Sequence, residues 1–167
     1  YIGLLEKWNR VYNLTVEAEH VYYVSELGLL AHNTCGPNFS PRTTSQNAAQ
    51  LKRNLAREGR PVSSSEAAAH VVASTGSVGP QWASAARSRA LLQRYGVDIN
   101  DAANGIPLGH PRPHNTMHTR EFNERVEAQL QGVVNSMSAQ GYGRKAIRSS
   151  LRRELRRIGD DVLSDGK

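Results

Sequence analysis

The chain has 167 residues, 38% of them hydrophobic and 6% aromatic, enough for one domain with a modest aliphatic core plus a fragment of another. No run of apolar residues is long enough for a transmembrane helix, and the single Cys35 excludes an internal disulfide framework or a multi-cysteine zinc site. The net charge of +6 is uneven, −2 over residues 1–33 and +8 over residues 34–167, so a slightly acidic head joins a basic body of the kind that meets nucleic acid.

The sequence opens at Tyr1 without a methionine or the pattern of a signal peptide, and reads as a segment of something longer. In the head, Tyr12, Leu14 and Val16 alternate with Asn13, Thr15 and Glu17, the period of a half-buried strand. The stretches VYYV and LGLLA predict two more short strands. Residues 36–47, GPNFSPRTTSQN, hold two prolines among small polar residues and predict a linker. The expected organisation is a β segment over 1–33, a linker over 34–47 and a domain over 48–167.

A helix is expected over residues 48–58, with Leu51 and Leu55 one turn apart, Gly59 as its C-cap and Pro61 beyond. The short, β-branched AAHVVAS (68–74) predicts a strand. Pro80 suits the first turn of a helix running to about Tyr95 with Ala83, Ala86, Ala90 and Leu91 inward. Asn and Gly turn signals then surround expected strands at 97–99 and 105–108. A helix over about 116–135 carries the stripe Phe122, Val126, Leu130 and Val133. The last helix, 144–158, turns Ile147, Leu151, Leu155 and Ile158 to one side.

Three of the six histidines crowd into HPRPHNTMH: His110, His114 and His118. If one helix holds both His114 and His118, their rings project from one face a turn apart, a common way to present two imidazoles to a metal. With Asn115 or Thr116 as the N-cap, His114 falls outside the helix. His70 alone reads as a packing residue at a strand end, and the Asn104-Gly105 pair as an ordinary turn.

Taken together, the order His70, Asn104, His114, His118 and its surroundings resemble the HNH/endonuclease VII superfamily of ββα-metal nucleases, and most closely its AHH branch, found as the toxin tips of bacterial polymorphic toxins. The likeness runs over about residues 51–130. LKRNLAREGRP is similar to the lead-in helix, AAHVVAS to an AAHHIVA strand, RSRALLQRYGVDINDAANGIPL to the central segment and HNTMHTREFNERVEAQL to the closing helix. The implied fold is α+β, a treble-clef-like ββα core with additional helices and a short N-terminal β segment.

The resemblance implies two consecutive histidines after Ala68, the first of which is Ala69 here while His70 keeps its place. By likeness to colicin-type HNH nucleases, the first would be a metal ligand and the second the general base. His114 and His118 would supply further imidazole ligands, and Asn104 would pin the loop that aims the base. One histidine replaced by alanine in an otherwise intact pattern implies an introduced, inactivating substitution in preference to natural degeneration. The cofactor implied is one divalent metal ion. Imidazoles suit Zn²⁺ or Ni²⁺, whereas phosphate chemistry often uses Mg²⁺.

Seven Lys/Arg and one Glu lie between Arg144 and Arg157. With the apolar stripe inward, Arg148, Arg152, Arg153, Arg156 and Arg157 spread over the outer surface, where they suit phosphate contacts, an acidic immunity protein, or plain solvation. The head resembles the last strands of a pretoxin HINT autoprocessing domain, and His32-Asn33 its C-terminal cleavage junction. The expectation is therefore a metal-dependent endonuclease toxin, inactive in this form, cutting DNA in preference to RNA. Its expected partners are nucleic acid and a cognate immunity protein, without a membrane, and it would be delivered by its producer into the cytoplasm of a target cell. The rival expectation is a non-catalytic basic module that binds nucleic acid or an immunity protein.

Overall fold

The structure, a computed structural model, describes residues 21–24, 29–32, 42–75 and 82–165. The chain forms two units, Tyr1–Ser40 and Pro41–Lys167. In the first, strands β1 (Val21–Val24) and β2 (Leu29–His32) pair antiparallel, with Val21 opposite His32 and Val24 opposite Leu29. The strand expected at Tyr12–Val16, like Asn33, lies outside the described residues.

The second unit is α+β. It runs α1 (Thr44–Arg57), β3 (Glu66–His70), α2 (Ala83–Arg94), a 3-10 turn (Ala102–Asn104), β4 (Gly105–Gly109), a second 3-10 turn (His114–Thr116), α3 (Arg120–Ala139) and α4 (Arg144–Asp165). Strands β3 and β4 pair antiparallel, Ala69 opposite Ile106 and His70 opposite Gly105. Successive strand residues face opposite ways, and two apolar clusters record it. Ala68 packs with Leu51, Leu55 and Ala102, whereas Ala69 joins Val71, Ile106, Leu130, Leu151 and Leu155 in the larger core.

Small residues let both helices approach this strand pair. A Cβ at Gly105 would stand 2.5 Å from Leu51 Cδ1 on α1, and one at Gly159 would stand 2.6 Å from Ile106 Cγ2, so α4 crosses at backbone range. Leu51, Leu55, Leu151 and Leu155 are completely buried, each worth about 2–3 kcal/mol over an exposed position. α2 packs on α3 and α3 on α4, closing the larger cluster.

Local chemistry moves several boundaries away from the sequence expectations. Thr43 accepts a hydrogen bond from the Gln46 N–H while its own N–H donates to Gln46 Oε1, a capping box that starts α1 inside the expected linker. Residues 97–99 are not a strand: the Val97 N–H closes the end of α2 on the Leu92 carbonyl, and the Asp98 carboxylate accepts from the Asn100 N–H. α2 buries Ser84, Ala85, Ser88 and Leu92, leaving Ala86 and Ala90 exposed. The Arg87–Glu127 ion pair to α3 helps set that phase. α4 continues beyond Ile158 to Asp165.

Candidate active site

The site residues come from the end of β3, the segment Asp98–Asn104 and the loop between β4 and α3. His70, the last residue of β3, is buried, and its Nε2 lies 2.9 Å from Asn100 Oδ1. Asn100 is fully buried and held from every side. Its Nδ2 donates to Asn47 Oδ1 at 3.0 Å, its carbonyl accepts from Asn54 Nδ2 at 2.7 Å, and its N–H donates to Asp98 Oδ1 at 2.7 Å. Burial pushes the His70 imidazole down to about 4, against the upward pull of the Asn100 hydrogen bond; His118 and His114 lower it further and Asp98 raises it. At neutral pH the ring is uncharged.

Asn104 is also completely buried. Its Oδ1 accepts from the Val72 N–H at 2.8 Å, and its Nδ2 donates to the carbonyls of Val72 and Ile99 at 3.2 and 2.8 Å. Its own carbonyl takes the Val71 N–H at 2.8 Å. Asn104 therefore ties the chain leaving His70 to the loop that carries Asn100. The Asp101 carboxylate caps this turn from the Ala103 N–H at 2.9 Å and pairs with Arg152 at 2.9 Å.

His114 and His118 do not share a helix. Thr119 is the N-cap of α3, its hydroxyl accepting from the Phe122 N–H, so His118 precedes the helix expected from about residue 116, and His114 lies outside it as it would with Asn115 or Thr116 as the cap. His114 belongs to the 3-10 turn, with its Nδ1 3.3 Å from His110 Nδ1 and 3.1 Å from Asn115 Oδ1. His118 is largely buried against Phe122 and Trp82, and its Nδ1 has no hydrogen-bond partner. Burial lowers its pKa first; the Asn123 side chain and the His70 backbone pull the other way, and His114 lowers it again.

An orphaned, buried imidazole nitrogen at His118 suits a metal ligand, but the remaining donors do not complete a site. Among the described residues no three His, Cys, Asp or Glu side chains stand close enough to hold one ion. Ala69, where the sequence implies a lost imidazole, offers no donor and is fully enclosed in the larger core. The three-imidazole centre that the resemblance implies lacks its member at position 69, and the described residues form no other cluster of three such donors.

On α4, Arg148 is exposed and carries no ion pair among the described residues, and Arg153 reaches Ser150 Oγ at 2.8 Å. The other three arginines are engaged. Arg152 and Arg156 pair with Glu58 at 3.4 and 2.9 Å, and Arg157 pairs with Glu154 and Asp161. His32 ends β2 in the other unit, and its presumed partner Asn33 lies outside the described residues.

Sequence reasoning missed Asn100 and Asn47. Their partnership spans 53 positions, and the one hint was Asn100 between two aspartates in a stretch otherwise holding buried apolar residues.

Against known families, the model of AHH, described as a nuclease family of the HNH/ENDO VII superfamily with conserved AHH, matches residues 51–162. No curated protein and no solved structure matches the chain.

Proposed function

The chain belongs to the AHH nuclease family of the HNH/ENDO VII superfamily, and on that premise we propose that it is a metal-dependent endonuclease toxin domain disabled in this form by Ala69. The observation that carries the reading is His70: a neutral imidazole at the end of the first strand of a ββα unit, anchored by one nitrogen to Asn100 and followed by a segment that Asn104 holds in place. A fixed neutral imidazole is suited to take the proton from a water attacking a phosphodiester. Nucleases of this superfamily are generally metal-dependent. His114 and His118 are the imidazoles to which an ion would bind once a third stands at position 69, and with alanine there the donor set does not fit.

The basic α4 supports nucleic acid as the substrate, through phosphate contacts that carry no sequence choice. DNA is the proposed substrate ahead of RNA. A lethal nuclease calls for a cognate immunity protein in its producer, and a HINT remnant ending at His32-Asn33 would fit release of the toxin after delivery into a target cell. No helix among the described residues is long and apolar enough to cross a membrane.

A second reading, a non-catalytic module that binds nucleic acid or an immunity protein through α4, draws on exposed Arg148 and Arg153 and on the incomplete donor set. Plasmid nicking separates the two. The protein and its Ala69→His variant are each assayed with Mg²⁺, Zn²⁺ or EDTA. Cutting by Ala69→His alone, abolished by EDTA, is the expected result. Absence of cutting by both, on DNA and on a parallel RNA substrate, leaves the binding module.

A further inference from the structure

We propose that Asn100, oriented by Asn47, is a positioning residue that fixes His70 in its Nε2–H tautomer and so presents the Nδ1 lone pair to the reaction. Its catalytic meaning rests on the nuclease reading above; its physical content does not.

A neutral imidazole has one N–H and one lone pair, and the partner of one nitrogen decides the role of the other. Here the anchored nitrogen is Nε2, 2.9 Å from Asn100 Oδ1. An asparagine amide offers an oxygen on one side and a donor on the other, so its second partner decides which end His70 meets. That partner is Asn47 Oδ1, which takes Asn100 Nδ2 at 3.0 Å. With its nitrogen committed to Asn47, Asn100 can only accept from His70, and the ring proton sits on Nε2. The backbone of Asn100 is held by Asn54 and Asp98, which fixes the point from which its amide reaches the ring. Both asparagines are buried, where an amide that lost a partner would be costly, and this gives the arrangement its force.

The opposite nitrogen completes the case. Among the described residues no hydrogen bond reaches His70 Nδ1, so with Nε2 committed to Asn100 it is the nitrogen that carries the lone pair.

Long-range ¹H–¹⁵N correlation of the histidine rings at pH 7.5 tests this directly, with His70 identified by its absence in His70→Gln. The expected spectrum has a pyrrole-type Nε2 and a pyridine-type Nδ1 for His70. Asn47→Asp keeps an acceptor for Asn100 Nδ2 and should preserve that pattern. Asn47→Leu removes it, frees the amide to turn, and should draw the two nitrogen shifts toward each other. In the Ala69→His background, Asn47→Leu should also lower kcat for nicking at least about tenfold with little change in KM, and Asn47→Asp should not. A protonated Nδ1 in the parent protein, which needs no variant to observe, overturns the proposal. So does a well-folded Asn47→Leu whose His70 nitrogens do not move. If the shifts behave as expected while no form cuts nucleic acid, the relay stands and the nuclease reading falls.

Discussion

The side chain of Asn104 grips Val72 at both ends, accepting from its N–H at 2.8 Å and donating to its carbonyl at 3.2 Å. A third bond to the Ile99 carbonyl at 2.8 Å makes one amide the tie between two stretches of backbone that run without strand pairing. Asn104→Ala would leave all three backbone groups without this partner in a buried place. The expected loss is about 3 kcal/mol or more, read from urea unfolding. A loss below about 1 kcal/mol would mean that water or a shifted backbone replaces the amide.

Stability should depend on pH through His70. Its folded pKa of about 4 lies below the ordinary value of 6.5, so the unfolded chain binds the proton first as the solution is acidified. His70 then contributes its full share above pH 6.5, loses it progressively as pH falls toward 4, and changes nothing further below. The full swing is on the order of 3 kcal/mol, and His118, also lowered by burial, acts in the same direction. The charges of Asp98, His114 and His118 act on His70, and His118 adds its own share, so His70→Gln should flatten much of the slope between pH 4 and 6.5 without abolishing it. Urea midpoints measured across that range give the comparison.

Glu58 gathers Arg60, Arg152 and Arg156 at the end of α1, and two of those arginines belong to the proposed phosphate surface. All four side chains are about one-third or more exposed, so the pairs stabilise little, and Glu58→Gln should cost no more than about 1 kcal/mol. It should tighten binding to duplex DNA and steepen the dependence of log K on log salt by about 1. Unchanged affinity at low salt would remove Arg152 and Arg156 from the binding surface.

Restoring a histidine at position 69 should carry a structural cost. Ala69 has no exposure and lies in the larger core, so five added ring atoms must displace neighbours there. Without metal, Ala69→His should be less stable by about 1–3 kcal/mol. If Zn²⁺ recovers that loss in a thermal melt, the new ring has found His114 and His118; if the metal leaves it unchanged, position 69 faces away from them.

Much of the architecture was legible in the sequence because large aliphatic residues recur at one period: Leu51 and Leu55 on α1, and Ile147, Leu151, Leu155 and Ile158 on α4, are buried as their spacing implied. α2 was misphased because alanine and serine are nearly equal in size, so a tightly packed face can bury serines and leave alanines outside. Its inner face, Ser84, Ala85, Ser88 and Leu92, is set by packing on α3. The start of α3 turned on a choice between two threonines three positions apart, and Thr119, whose hydroxyl reaches the Phe122 N–H, is the cap. That choice moved His118 off the helix. Asn104 was visible as a candidate from the likeness to a family. The chain from Asn47 through Asn100 to His70 was not, because buried amides draw partners from distant positions and leave no periodic trace.

The β3–β4 strand pair is covered on both faces, by α1 through Ala68 and by the larger core through Ala69. A two-stranded ribbon alone is marginal in water, and this one has neither a wet face nor a second sheet to lean on. It therefore cannot open by itself: exposing its amides means removing α1, α4 or both. Deuterium should enter the paired amides of β3 only when the whole domain opens, at the rate seen in the middle of α4, while the ends of the helices exchange far sooner. The strand that carries His70 would then admit solvent as late as the middle of α4 does.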